Sequence, residues 1–172
     1  GITKHSSNNS KIFDGVIWHT WNQLSLYAEY PLEHFDVNHY GPFFSLIIAP
    51  FAICPNWLGI ILWNVAMTLC LYFAIRELTI SNKTQMFVLW FCAHELLTAL
   101  FMVQFNIVIA AIIVGAWIST EKEKDWLAAL LIVIGTFVKL YGIVGLAFFF
   151  FSKHKLKFIA YFILFSACAF AL

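Results

Sequence analysis

Charge is what this 172-residue chain has least of: ten Lys and Arg and nine Asp and Glu make up 11% of it, against roughly a quarter in an ordinary soluble domain. A net charge of +1 is silent on nucleic acid, but no nucleic-acid-binding stripe is present, so no such partner is expected. There is no Gly-rich phosphate loop and no nucleophile elbow, and nothing visible would hold a soluble nucleotide sugar. Cys54, Cys70, Cys92 and Cys168 show no CxxC or Cys/His spacing, which excludes a zinc or disulfide framework, and they read as small buried hydrophobes. No signal peptide is visible in the polar amino end, which predicts that the targeting information and any first membrane helix lie outside these residues. The chain begins "GITKHSSNN" without Met and stops within an apolar run, which predicts a piece of a longer polypeptide.

What fills the chain instead is apolar and aromatic: 62% hydrophobic, 19% aromatic. A helix needs about 20 apolar residues to cross a hydrocarbon core about 30 Å thick, and several stretches approach that length. They are Phe43 to Ile53, Trp57 to Leu78, Met86 to Trp117, Trp126 to Phe151, and Leu156 onwards. As one helix the Met86 run would be about 48 Å long, so it reads as two helices meeting near "QFN". The Trp126 run would be about 39 Å, which suits either one tilted span or a hairpin at "KLYG". The fold class expected is all-α and polytopic, with short and broken membrane helices over residues 42–172.

Residues 1–41 form the one long polar region, with four acids (Asp14, Glu29, Glu33, Asp36) against Lys4 and Lys11, and with four of the six histidines. Within it Ile12, Phe13, Val16, Ile17, Trp21 and Leu24 recur at helical spacing, with Asn9 or Ser10 available as an N-cap. That stripe suits an interfacial helix, or one packed on a neighbouring part of the loop. The connectors "RELTISNK", "STEKEKD" and "SKHKLK" all carry Lys or Arg. By the positive-inside rule they belong in the cytoplasm, which requires hairpins at both "QFN" and "KLYG" and leaves the first loop outside. A single span through Lys139 would move "EKEKD" to the other face.

Polar groups within apolar runs are the candidates for chemistry, because a charge at a bilayer centre costs about 2.5–3.5 kcal/mol on insertion scales. Lys139 is the sole charged residue between Trp126 and Phe151. It can pair with Glu95 across two helices, or face a cavity and meet an anionic ligand such as a lipid phosphate. His94 and Glu95 are the other charged pair. Gln104 and Asn106 fit a broken helix lining a cavity, or interhelical hydrogen bonds. In "HFDVNH", His34, Asp36 and His39 are close enough to admit a divalent metal, although the spacing is not zinc-like and a solvated loop is favoured.

Taken in order, "YPLEHFDVNHYGPFFSLIIAPF", "LGIILWNVAMTLCLYFAI", "QFNIVIAAIIVGAW" and "WLAALLIVIGTFVKLYGIVG" with its basic turn resemble glycosyltransferase family 87, in the aromatic-rich style of its Bacteroidetes members. These are integral membrane enzymes of the GT-C class that use polyprenyl-phosphate sugars, and the resemblance runs from about Asn9 to about Phe158. It implies a multi-pass protein of the bacterial inner membrane, with membrane lipid and a polyprenyl-phosphate sugar as partners. The sugar passes with inversion to an envelope acceptor, by way of a carboxylate in the first external loop. The family's usual acidic position matches Asn9 here, and asparagine cannot act as a base. The role then falls to Asp36 or Glu33, with Lys139 on the donor phosphate and Gln104, Asn106, His94, Glu95 and Tyr40 lining the cavity. The alternative is a non-catalytic membrane scaffold or complex subunit.

Overall fold

A computed structural model describes residues 8–34 and 36–171. Its elements run α1 (Asn8–Trp21), α2 (Phe43–Ala52), α3 (Asn56–Arg76), α4 (Asn82–Phe91), α5 (Ala93–Phe101), α6 (Asn106–Glu121), α7 (Asp125–Val138), a 3-10 helix (Leu140–Phe150) and α8 (Lys155–Phe170), with no strand among the described residues. Among the described residues only α3, with 21 residues, is long and apolar enough to cross a membrane alone, and α4 with α5 qualifies as a pair bent by 47°. Both faces that α3 and α4–α5 turn outward carry large apolar side chains, Leu62, Leu69, Phe73, Phe87 and Trp90 among them.

The long apolar runs are broken where the sequence suggested. The Met86 run reverses between Phe101 and Asn106, and it breaks a second time at Cys92, which was not foreseen. The Trp126 run is a hairpin. Gly142 lies so close to Gly135 that a Cβ on it would overlap the Gly135 carbonyl carbon, and a Cβ on Gly145 would sit 2.8 Å from Ile132. Ser152 donates to the Asp125 carboxylate at 2.7 Å. In all three pairs the residue numbers sum to the same value, so the 3-10 helix returns antiparallel along α7 from a turn at Lys139. Eleven residues of 3-10 helix is long for that geometry. Its glycines let it lie close against α7.

These reversals sort the loops onto two ends. At one end the three basic connectors are clasped together: Lys122 to Glu77 at 2.7 Å, Lys153 to Glu123 at 2.6 Å, and Thr79 to Glu121 at 3.3 Å. The hydrogen bond and charge of Lys153 hold the Glu123 carboxyl below its ordinary value, and Lys122 does the same for Glu77. Both clasps are therefore present above the ordinary carboxylate pKa and are lost as pH falls through the lowered values.

At the other end α1 packs through Ile12, Phe13 and Val16 onto an aromatic cluster of Phe44, Trp63 and Phe105. The expected apolar stripe of α1 divides, because Trp21 and Leu24 are exposed while His19 is buried under the Tyr30 ring at 3.9 Å. Asn9 and Ser10 are not caps. The helix is already formed at Asn8, and their side chains reach other elements, Asn9 to the Met102 carbonyl and Ser10 to Asn56. Nor are the cysteines buried: Cys70 and Cys168 are exposed and Cys54 and Cys92 half-buried, on faces a bilayer would solvate.

The hairpin packing generates a sharp test. Gly142→Ala would drive a methyl into backbone that cannot move aside, so it should cost about 1–3 kcal/mol or more. Gly115→Ala meets only the end of Leu131 at 3.3 Å and should be tolerated. Thermal unfolding in detergent separates the two, and equal midpoints would contradict this packing.

Candidate functional site

The end opposite the basic clasp opens into a polar cleft of about 530 Å³, counting its mouth. Asn9, Asp36, His39, Tyr40, Gln104 and Lys139 line it. Residues separated by up to 130 positions are thus brought together where two helices break.

Tyr40 forms one wall. An Asx turn sets its backbone, the Asn38 carboxamide oxygen accepting from the Tyr40 N–H at 3.1 Å while its nitrogen donates to the Tyr40 carbonyl at 2.9 Å. Its ring stacks on Phe44 at 4.3 Å, and its hydroxyl accepts from the Phe105 N–H at 3.5 Å. Gly41 follows, donating to the Val138 carbonyl at 2.9 Å. A Cβ on Gly41 would overlap the Phe137 carbonyl, so only glycine allows the loop to reach the α7 terminus.

Lys139 occupies the extended turn residue between α7 and the 3-10 helix. Its ammonium donates to Asn106 Oδ1 at 2.8 Å and stands 5.2 Å from the ring centroids of both Tyr40 and Tyr141. Asn106 in turn donates to Gln104 Oε1 at 3.0 Å, so one relay fixes both amides. Two aromatic faces and an amide oxygen hold the cation without neutralising it, which leaves its charge for an anion. The turn carrying Gln104 is itself strained. Val103 ends α5 with φ 51, a left-handed conformation rare for a β-branched residue, while Gln104 N–H bonds back to the Ala99 carbonyl at 2.8 Å.

Asp36 is the carboxylate of the cleft. One oxygen accepts from the Val37 N–H at 2.8 Å and lies 3.6 Å from His39 Nε2, and the side chain is exposed. Glu33, the other candidate base, is elsewhere. It lies 3.1 Å from His19 Nε2 and does not line the cleft.

Of the two alternatives for Lys139, the pairing with Glu95 is not formed. The bend at Cys92 reorients α5, so Glu95 meets only His94, at 3.7 Å, with both side chains exposed. Neither lines the polar cleft. Glu95 borders instead an apolar groove of about 900 Å³ between α3, α5 and α6, into which Gln104 and Asn106 also reach. His34 is buried beside Tyr30, and no group of three metal-ligating side chains occurs among the described residues. Sequence reasoning missed Tyr141, although its place two residues after Lys139 was a signal, and it missed the structural use of Asn9.

The described residues thus form a helical protein with one membrane-length helix and a cleft that holds a carboxylate and a lysine. The chain belongs to glycosyltransferase family 87, a family of membrane glycosyltransferases whose profile matches residues 38–172. That match takes in Tyr40, Gln104, Asn106 and Lys139, and it begins after Asn9, Glu33 and Asp36. None of the curated proteins and none of the solved structures matches the chain.

The relay predicts where coupling lies. A double-mutant cycle of Lys139→Met with Asn106→Leu should show a stability coupling of about 0.5–3 kcal/mol. The same cycle between Lys139 and Glu95 should be additive to within about 0.5 kcal/mol. Coupling to Glu95 of the larger size would refute the placement of Lys139.

Proposed function

We propose that the protein transfers a sugar from a polyprenyl-phosphate donor to a hydroxyl of an envelope acceptor at the outer face of the bacterial inner membrane. The observation that carries this reading is the shared cleft of Asp36 and Lys139. Asp36 takes the proton of the acceptor hydroxyl as its oxygen forms the new bond to the anomeric carbon. The bond from that carbon to the phosphate oxygen breaks on the opposite side, and the phosphate leaves with the electron pair beside the Lys139 ammonium. The configuration at the anomeric carbon inverts. Tyr40 and Asn106 hold the ammonium, and Tyr40 and Gln104 line the donor side.

Depth supports a lipid-linked donor. The 14 residues of α7 rise about 21 Å from the basic end, so Lys139 falls short of the far face of a hydrocarbon core about 30 Å thick. A phosphate meeting it there arrives most readily on a lipid. With the basic connectors in the cytoplasm, the cleft and first loop face outward.

Asn9 favours the second reading, a non-catalytic membrane scaffold, because it stands where the family usually has its acid. Yet Asn9 and Asp36 line the same cleft, so a carboxylate is still present close to the expected place.

In membranes containing the full-length protein, Asp36→Asn should lower transfer from a polyprenyl-phosphate sugar by about 10²- to 10⁴-fold with unchanged unfolding behaviour. Lys139→Met should also abolish donor use. Full transfer by Lys139→Met would end its role at the phosphate. Normal transfer by Asp36→Asn with a large loss in Glu33→Gln would reassign the base, and no transfer by the native protein from any lipid-linked sugar would favour the scaffold. Orientation has its own test: a thiol at Ser25 should react with an impermeant reagent in spheroplasts, and one at Lys155 only after permeabilisation.

A further inference from the structure

We propose that the basic end of the molecule carries a site for one anionic phospholipid, in a groove between α3, α6 and α7. It lies away from the cleft of Asp36 and Lys139 and does not depend on the transfer reaction. α6 packs on both of the other helices and so lies between them. The groove, about 680 Å³ with its mouth, has Phe73 of α3 on one wall, Gly115 and Ile118 of α6 in its floor, and Leu127 and Leu131 of α7 on the other wall. From Lys122 to Gly115 it follows about two turns of α6, or ~10 Å. Ser119 also borders it, but its hydroxyl donates to the Gly115 carbonyl at 2.8 Å. The depth of the groove is therefore apolar.

Its rim is charged. The three helices end there in Glu77, which caps the carboxyl end of α3, Lys122, which caps that of α6, and Lys124, which precedes α7. The turn holding both lysines is fixed: Glu123 takes a left-handed conformation, φ 57, and the Lys124 N–H returns to the Ser119 carbonyl at 2.8 Å, closing α6. Lys122 is occupied by Glu77 at 2.7 Å, and Glu123 by Lys153 at 2.6 Å. The Lys124 side chain is exposed and has no ion-pair or hydrogen-bond partner among the described residues. One uncompensated positive charge thus stands over an apolar groove.

These two features specify the occupant. A soluble anion would use Lys124 and leave the groove empty, whereas the acyl chain of a lipid fills it and sets the phosphate at the rim. A zwitterionic lipid brings its own cation toward Lys124 and gains less. The surroundings act in the same direction, since the connectors "RELTISNK", "STEKEKD" and "SKHKLK" carry seven Lys and Arg against four Asp and Glu. A lipid seated here touches α3, α6 and α7 together and adds to the clasp between their ends.

Native mass spectrometry of the full chain in detergent, titrated with phosphatidylglycerol and with phosphatidylcholine of the same acyl chains, tests the site. Phosphatidylglycerol should bind about fivefold more tightly, the effect expected of one lysine beside a lipid headgroup. Lys124→Gln, an exposed change that leaves the core alone, should reduce phosphatidylglycerol to the level of phosphatidylcholine. Gly115→Leu, which puts a side chain into the floor, should weaken both lipids alike, with its folding checked by thermal unfolding. Lys157→Gln, at the basic end but outside the groove, should keep the native preference. Equal affinities of the native protein for the two lipids would overturn the site. So would an equal loss in Lys124→Gln and Lys157→Gln, which would spread the effect over the whole basic end, or competition by glycerol phosphate alone, which would make it a site for a free anion. The two lysine variants and the competition decide the matter even if Gly115→Leu does not fold.

Discussion

Backbone broken inside an apolar layer must find hydrogen bonds from somewhere, and this requirement organises the cleft end of the molecule. Two helix breaks, after α5 and after α7, occur there together. The groups they free are met by the first loop and α1: Asn9 donates to the Met102 carbonyl at 2.6 Å, Gly41 to the Val138 carbonyl at 2.9 Å, and Phe105 N–H reaches the Tyr40 hydroxyl at 3.5 Å. Each bond joins a polar residue of the amino-terminal region to a break more than 60 residues further on. The aromatic cluster around Phe44 and Phe105 holds the same elements together by burial, with Phe105 stacked on Trp63 at 5.7 Å. A cleft arises because the loop covers the broken ends only in part.

The same accounting explains Asn9. A carboxylate has acceptors alone and would face the Met102 carbonyl without a proton to offer, whereas a carboxamide donates. With residue 9 committed to the α5–α6 turn, the carboxylate that the proposed transfer needs must come from another part of the loop. Asp36 meets that condition, since its partners are a neighbouring backbone N–H and a nearby imidazole, and it remains exposed.

Much of this was legible in the sequence. The breaks at "QFN" and "KLYG" follow from runs too long for one span and interrupted by polar residues, and the clustering of basic connectors follows from those two reversals. Gln104, Asn106, Tyr40, Asp36 and Lys139 were identifiable as polar groups in apolar surroundings, and all but Asn106, which holds Lys139 from behind, line the cleft. What could not be read is direction. The bend at Cys92 has no Pro or Gly to announce it, yet it decides that Glu95 and His94 turn away from Lys139. Likewise the helical spacing of α1 predicts one apolar stripe, but the Tyr30 turn folds over its outer half and buries His19 in place of Trp21.

A second cleft, lined by Glu29, Tyr30, Pro31, His34, Asp36 and Val37, adjoins the Lys139 cleft at Asp36 and differs from it in charge. On one side of Asp36 stands an ammonium held by two tyrosine faces and an amide, and on the other an acidic side chain and a buried histidine without a partner. An anion is attracted to the first and repelled from the second. Discrimination between the two clefts therefore comes from charge rather than from a closely fitted pocket, which suits an open cleft at the edge of a bilayer.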